Sequence, residues 1–231
     1  MKVGMASHVG KVRAVNEDSM GWKGTLLVLA DGMGGHRAGE VASALVVEKV
    51  LALDTTEPDF KTALTSVLNL ANQDLLNYAK THQECKGMGT TVVVVQVEAD
   101  QINVAHIGDS RAYLWRAGHC FQLTRDHSLV AELVRSGGIT EDEAKNHPQR
   151  NVLTRALGTV GPVEPEYREF AVQAGDRLLL CSDGLTVMLS NREIEEFLGQ
   201  GDSPQEVADC LVAVANDRGG IDNISAIVAF L

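Results

Sequence analysis

Four aspartates in this sequence stand where a run of buried-type residues starts or stops. "TLLVLADG" (25–32) delivers Asp31, "INVAHIGDS" (102–110) delivers Asp109, "RLLLCSDGL" (177–185) delivers Asp183, and "GGIDNISAIVAF" places Asp222 just ahead of a strand. A carboxylate tolerates burial poorly, so a core strand that carries one needs a reason. Each has an ordinary explanation alone. Asp-Gly between apolar runs is a strong hairpin signal, and Asp109 in "GDSR" suits a turn aspartate that bonds its own backbone. Together they point elsewhere. Strand ends converge at one rim of a domain, and clustered carboxylates repel unless positive charge lies between them. Oxygen ligands with no His or Cys at metal spacing favour Mg²⁺ or Mn²⁺ over Zn²⁺.

The turn after Asp31 tests a rival. "DGMGGHRAGE" follows a strand and opens a helix, as a dinucleotide-binding turn would. Yet counting from Gly32, positions one, three and six are Gly32, Gly34 and Arg37, so GxGxxG fails. A carboxylate at the mouth would also repel a pyrophosphate, and a metal-anchoring turn fits better. In "GKVRAVNEDS", Arg13 offers a planar fork suited to two phosphate oxygens. Glu17 and Asp18 add carboxylates able to hold metal-bound waters. Alone, "NED" reads as a solvated turn and Arg13 as a surface charge.

The elements that must position these residues are mainly Val-, Leu- and Ile-rich strands at 25–30, 90–97, 101–107, 111–116, 178–182 and 224–230. The second and third are joined by "EADQ", short enough for an antiparallel hairpin. Helices are expected at 38–53, 60–80, 128–136, 191–198 and 203–217. In the last, Ser203, Pro204 and Glu206 form a capping-box signature. Strands come in hairpins and helices in blocks, which suggests an antiparallel core covered by helices. Segment 124–160 has short helical pieces, a Gly-Gly break and no strand pattern, and reads as an insertion: a lid or recognition loop, or a structural cover.

No linker divides the 231 residues, so the chain reads as one domain with a sizeable core. Apolar residues make up 45% and charged residues 22%, a globular balance. A net charge of −11 argues against a nucleic-acid surface. It also poses a puzzle for an anionic substrate. The start, "MKVGMASHVGKVR", has no signal-like apolar stretch, and no run approaches the ~20 residues that span a bilayer. Cys85, Cys120, Cys181 and Cys210 form no CxxC pair. Cys181 reads as a small buried thiol. A cytoplasmic monomer is the expectation.

In order along the chain, "VRAVNED", "LADGMGGHRAGEVAS", "GMGTTVVV", "AHIGDSRAYL", "LTRDHS", "LLLCSDGL" and "RGGIDNIS" resemble the motifs of bacterial metal-dependent protein phosphatases of the 2C type, the PPM family. The resemblance covers essentially the whole chain. The chain looks like a stand-alone bacterial serine/threonine phosphatase, of the kind encoded beside membrane kinases with extracellular PASTA repeats. It implies an α+β fold, a four-layer α-β-β-α sandwich of two stacked antiparallel sheets flanked by helix pairs.

The resemblance also implies site roles. Asp31 would bridge two Mn²⁺ or Mg²⁺ ions, the Gly32 carbonyl would bind the first, and Asp183 and Asp222 would complete the second. Asp109 with Asp183 would take a third, weaker ion. Arg13 would bind the substrate phosphate, Glu17 and Asp18 would order water around the metals, and Asn223 would stand with them behind the metal ligands. Segment 124–160 would be the flap. Eukaryotic relatives carry a histidine directly after the Asp-Gly pair as a general acid. Here Met33 follows and His36 comes later, so His36 would be either that acid or a shaper of the turn. The implied reaction is phosphomonoester hydrolysis by a water bridging two metals roughly 3.5–4 Å apart, whose charge answers the puzzle of the acidic chain. Substrates would be phosphorylated proteins, with a cognate serine/threonine kinase and its targets as partners. A metal-stabilised phosphoprotein-binding module and a phosphatase of an anti-anti-sigma protein are the alternatives.

Overall fold

The computed structural model describes residues 1–34, 38–55 and 59–231. In chain order its elements are β1 (Lys2–His8), β2 (Asp18–Lys23), β3 (Leu26–Met33), α1 (Ala38–Leu51), α2 (Phe60–Thr81), β4 (Gly89–Thr90), β5 (Val92–Val97), β6 (Gln101–Ile107), β7 (Arg111–Arg116) and β8 (His119–Gln122). There follow α3 (Leu129–Arg135), α4 (Glu141–Lys145), β9 (Glu166–Ala171), β10 (Arg177–Cys181), α5 (Asp183–Thr186), α6 (Asn191–Gln200), α7 (Pro204–Asp217) and β11 (Ile224–Phe230).

One sheet runs β1-β11-β10-β7-β8; the other runs β2-β3-β5-β6-β9, with β4 added to β3. All the paired strands are antiparallel. The central strands are apolar at nearly every position because both their faces are covered. Leu27 and Leu29 of β3 pack with Leu178, Leu180 and Ile227 between the sheets. The alternate residues Leu26, Val28 and Ala30 meet Val46 of α1 and Leu64 and Leu68 of α2. On the opposite side, Leu179 and Ala226 pack against Ile194 of α6 and Leu211 of α7. The architecture is therefore α+β, with layers helix, sheet, sheet, helix, as the sequence resemblance implies.

Three expectations are amended. Four strands, β1, β2, β8 and β9, went unread. The single strand expected over 90–97 breaks at Thr91: β4 pairs with Gly32–Met33, while β5 pairs with Leu26–Leu29. Helix α1 ends at Leu51 instead of residue 53. Ser203 caps α7 by accepting the Glu206 amide, the first arm of the expected box. Both arms form instead at Ser190–Glu193 and Thr140–Glu143. Segment 124–160 holds α3 and α4 and no strand, only the isolated bridges Ser128–Leu153 and Thr90–Leu157.

Candidate metal centre and phosphate site

Asp31 lies on β3 directly across the ladder from Asp18 on β2. Its backbone is gripped from the other side by the Thr90–Thr91 step. The Asp31 amide donates to Thr91 Oγ1 (2.9 Å), and its carbonyl accepts from the Thr91 amide (2.9 Å) and from Thr90 Oγ1 (2.9 Å). The break between β4 and β5 is what frees both threonines for this task. Thr91 Oγ1 also meets Ser110 Oγ at 2.7 Å, which ties the Asp31 strand to the turn carrying Asp109.

The C-terminal pair of aspartates is set by the neighbouring residues. Ser182 donates to Asp18 Oδ2 (2.8 Å) and accepts the Ser225 amide (3.0 Å), which holds Asp183 against β2. Asp183 opens the one-turn helix α5, so the hairpin reading of "SDGL" is overturned. Gly184 is obligatory there, since a Cβ would stand 2.1 Å from the Asn223 carbonyl oxygen. Asn223 in turn pins the N-terminal loop: it accepts the Glu17 amide (2.8 Å) and donates to the carbonyls of Val9 (2.9 Å) and Val15 (3.0 Å). That loop carries Arg13, whose Nη2 meets Asp222 Oδ2 at 2.7 Å. Gly32 sits so tightly that a Cβ would fall 2.1 Å from the Gly39 carbonyl oxygen, and its amide donates to the Glu17 carbonyl.

The electrostatics are those of carboxylates crowded without a counter-charge. Burial, reinforced by Asp18 and Asp183, lifts Asp31 well above the usual carboxylate range. Burial and the nearby Asp222 lift Asp183, and a hydrogen bond between the Asp31 and Asp183 carboxyls offsets part of this. Burial pushes Asp109 up to about 8, with Asp183 and Asp126 adding to it. Asp109 also bonds its own amide, as the turn reading expects. Burial takes Asp18 to about 7 despite the Ser225 and Ser182 bonds. Burial raises Glu17 too, opposed by a bond from the Gly39 amide. The bond to Asp222 raises Arg13.

Two observations test whether divalent ions fit here. Oε1 of Glu17 and Oδ1 of Asp18 are buried with no hydrogen-bond partner, a costly condition that a cation or its waters would relieve. The donors are carboxylate and carbonyl oxygens, the set that hard divalent ions take. Among the described residues these aspartates do not gather three ligand atoms within 4.8 Å of one another. The set is therefore not a closed cage for one ion. It suits ions that each take one or two carboxylates and keep waters.

The fold thus brings together Arg13, Glu17, Asp18, Asp31, Gly32, Asp109, Asp183, Asp222 and Asn223. His36 lies outside the described residues. The positioning residues Thr91, Ser110, Ser182 and Gly39 were missed, although all but Gly39 directly flank the acidic motifs or their pairing strand. Outside this set, His106, His127 and Glu166 come from separate parts of the chain and place ligand atoms within 4.8 Å of one another.

The family profile described as "Protein phosphatase 2C" matches residues 13–224, from the arginine of the loop into β11. The chain belongs to the protein phosphatase 2C family. Membership makes it a serine/threonine phosphatase. The serine/threonine phosphatase stp of Listeria innocua is 42% identical over 231 aligned residues, covering 95% of this chain and 91% of that one. The crystal structure of the Mycobacterium tuberculosis serine/threonine phosphatase PstP/Ppp superposes with a TM-score of 0.94 at 42% identity, covering 100% of this chain and 98% of that one. The catalytic domain of PstP in complex with 2 manganese ions matches with a TM-score of 0.90 at 40% identity, over 98% of this chain and 96% of that one.

Proposed function

We propose that this protein phosphatase 2C chain hydrolyses phosphoserine and phosphothreonine monoesters of proteins with two Mn²⁺ or Mg²⁺ ions held by Asp31, the Gly32 carbonyl, Asp183 and Asp222. The observation that carries the reading is the contact between the Asp31 and Asp183 carboxyls, with Asp222 close enough to raise both and Asp18 to raise Asp31 further. Asp109, with Asp183, is assigned to a third, weaker ion. Glu17 and Asp18 are assigned to ordering water beside the ions, and Asn223 to holding the loop that carries Arg13 and Glu17.

Divalent ions bound here supply positive charge and bring the pKa of water down to about 7. The remaining tasks fall to the chain. Burial and crowding raise Asp31 and Asp183 above the ordinary carboxylate range, and bound cations would favour their ionised forms, which hold the ions. Arg13, which rests on Asp222 at 2.7 Å, turns its fork to two oxygens of the incoming phosphate and balances the charge that grows on them during in-line attack. The partnerless oxygens of Glu17 and Asp18 accept hydrogen bonds from water and orient it. No side-chain nucleophile is required. Cys181, two residues from Asp183, is buried and its thiol is pushed up to about 12, far from a thiolate at neutral pH.

Segment 124–160 is assigned to a flap beside this site within a single catalytic domain. Among the described residues no helix is long and apolar enough to cross a membrane. We place the chain in the cytoplasm as a monomer, acting on a cognate serine/threonine kinase and its substrates. The test is hydrolysis of a small aryl phosphate and a phosphothreonine peptide in Mn²⁺, Mg²⁺ or EDTA. Turnover of both that vanishes in EDTA and returns with metal supports the proposal. Undiminished turnover in EDTA refutes it. Phosphopeptide binding without turnover would favour a binding module.

A further inference from the structure

His106 on β6, His127 at the start of segment 124–160 and Glu166 on β9 form a cluster that the phosphatase site does not use. A second metal centre is the first thought, and the geometry argues against it. The two rings stack with centroids 4.6 Å apart and planes 17° from parallel, so no nearby point lies in both ring planes as a shared ion requires. His106 Nε2 is already 2.7 Å from the Arg125 carbonyl, and His127 Nδ1 already accepts the Gly108 amide at 3.2 Å.

Those same bonds suggest a different role. Gly108 immediately precedes Asp109 and sits at φ +106°, with Thr91 filling the space where a Cβ would be. His127 grips this one residue twice: its ring nitrogen accepts the Gly108 amide, and its own amide donates to the Gly108 carbonyl at 3.0 Å. Burial and the adjoining His106 ring lower His127 to about 4, so at neutral pH the ring is uncharged and Nδ1 keeps its lone pair. The proton then sits on Nε2, which faces Glu166 Oε2 at 3.5 Å.

On its other side, His127 closes the base of segment 124–160. Its carbonyl accepts the Thr154 amide at 2.8 Å, and Ser128 bridges to Leu153 beside it. Asp126, one residue earlier, takes a forked bond from Arg111, two residues past Asp109. The turn that presents Asp109 is therefore fastened on both flanks to the neck of the insertion.

We propose that His127 is a positioning residue whose imidazole clasps the Gly108–Asp109 turn to the closed neck of segment 124–160 and thereby sets where the Asp109 carboxylate points. The consequence rests on the reading of Asp109 as an ion ligand; the clasp itself does not. Two substitutions separate the ring's shape from its acceptor. His127→Phe keeps a flat ring over His106 and removes the acceptor. His127→Asn sacrifices the ring and places an amide oxygen near the Nδ1 position.

Amide hydrogen exchange at Gly108 in the chelator-treated full chain reads the clasp without any metal. Loss of one buried hydrogen bond should speed Gly108 exchange about tenfold in His127→Phe, and His127→Asn should restore it. Calorimetric titration with Mn²⁺ reads the consequence: the weakest class of sites loosens about tenfold in His127→Phe and recovers in His127→Asn, while the tight sites keep their affinity. His127→Gln, which reaches past the Nδ1 position, replaces the Phe variant should that one not fold. Unchanged Gly108 exchange in a folded Phe or Gln variant overturns the proposal, as does an Asn variant no better than Phe. Asp109→Asn is the control for the underlying reading. If it leaves the Mn²⁺ isotherm unaltered, Asp109 holds no ion, and Gly108 exchange alone decides the clasp.

Discussion

Asp18 and Asp31 are direct partners across the antiparallel β2–β3 ladder, so two carboxylates from adjacent strands face the same rim. Like charges directly opposite destabilise a ladder, and here burial adds to the cost for both. The fold accepts this strain at the one place where divalent ions would reverse its sign.

Removing one charge should therefore have opposite effects with and without metal. Asp183→Asn is expected to abolish most turnover, by about a hundredfold or more if Asp183 holds the ion that positions the attacking water. In EDTA the same variant should be more stable than the parent, by about 1 kcal/mol, because a crowded buried carboxyl is gone. Urea unfolding with Mn²⁺ and with EDTA checks both signs. A variant less stable than the parent in EDTA would mean that Asp183 is a structural anchor.

The pH dependence of the metal-free protein follows from the same crowding. Asp18 at about 7 and Asp109 at about 8 stay protonated in the folded chain where the unfolded chain, near 3.8, has released its protons. The folded state then binds more protons, so stability is fullest below that lower value and is lost as pH rises through about 7 to 8. Urea midpoints in EDTA at pH 5.5, 7 and 8.5 should fall in that order. With saturating Mn²⁺ the fall should disappear, since cation binding favours the ionised form.

Asn223 joins three main-chain groups of the loop that carries Arg13. Asn223→Ala leaves them without that partner, at about 1–3 kcal/mol for buried groups. It should lower the unfolding midpoint and raise KM for a phosphopeptide more than it lowers kcat, because Arg13, proposed to take the phosphate, loses its support. An unchanged KM would detach Arg13 from substrate binding.

Much of this was legible in the sequence, for a physical reason. Strands β3, β5, β10 and β11 are buried on both faces, so they read as unbroken apolar runs, and a carboxylate at their ends is conspicuous. Strands β1, β8 and β9 lie at sheet edges with half-exposed residues and mixed composition, as in "EYREFA". Strand β1 pairs with β11 from the far end of the chain, a partnership no local pattern announces. The hydroxyls of Thr91, Ser110 and Ser182 act by short contacts across strands, which spacing along the sequence cannot reveal. The His106–His127 stack is likewise assembled from separate elements.

The most direct test of the central claim is the anomalous scattering of crystals grown with Mn²⁺. The account predicts two strong peaks, each within direct coordination distance of oxygen ligands, with Asp31 touching both and Asp183 and Asp222 reaching one of them. A refined structure with these three carboxylates well ordered in saturating Mn²⁺ and no peak against any of them would contradict it.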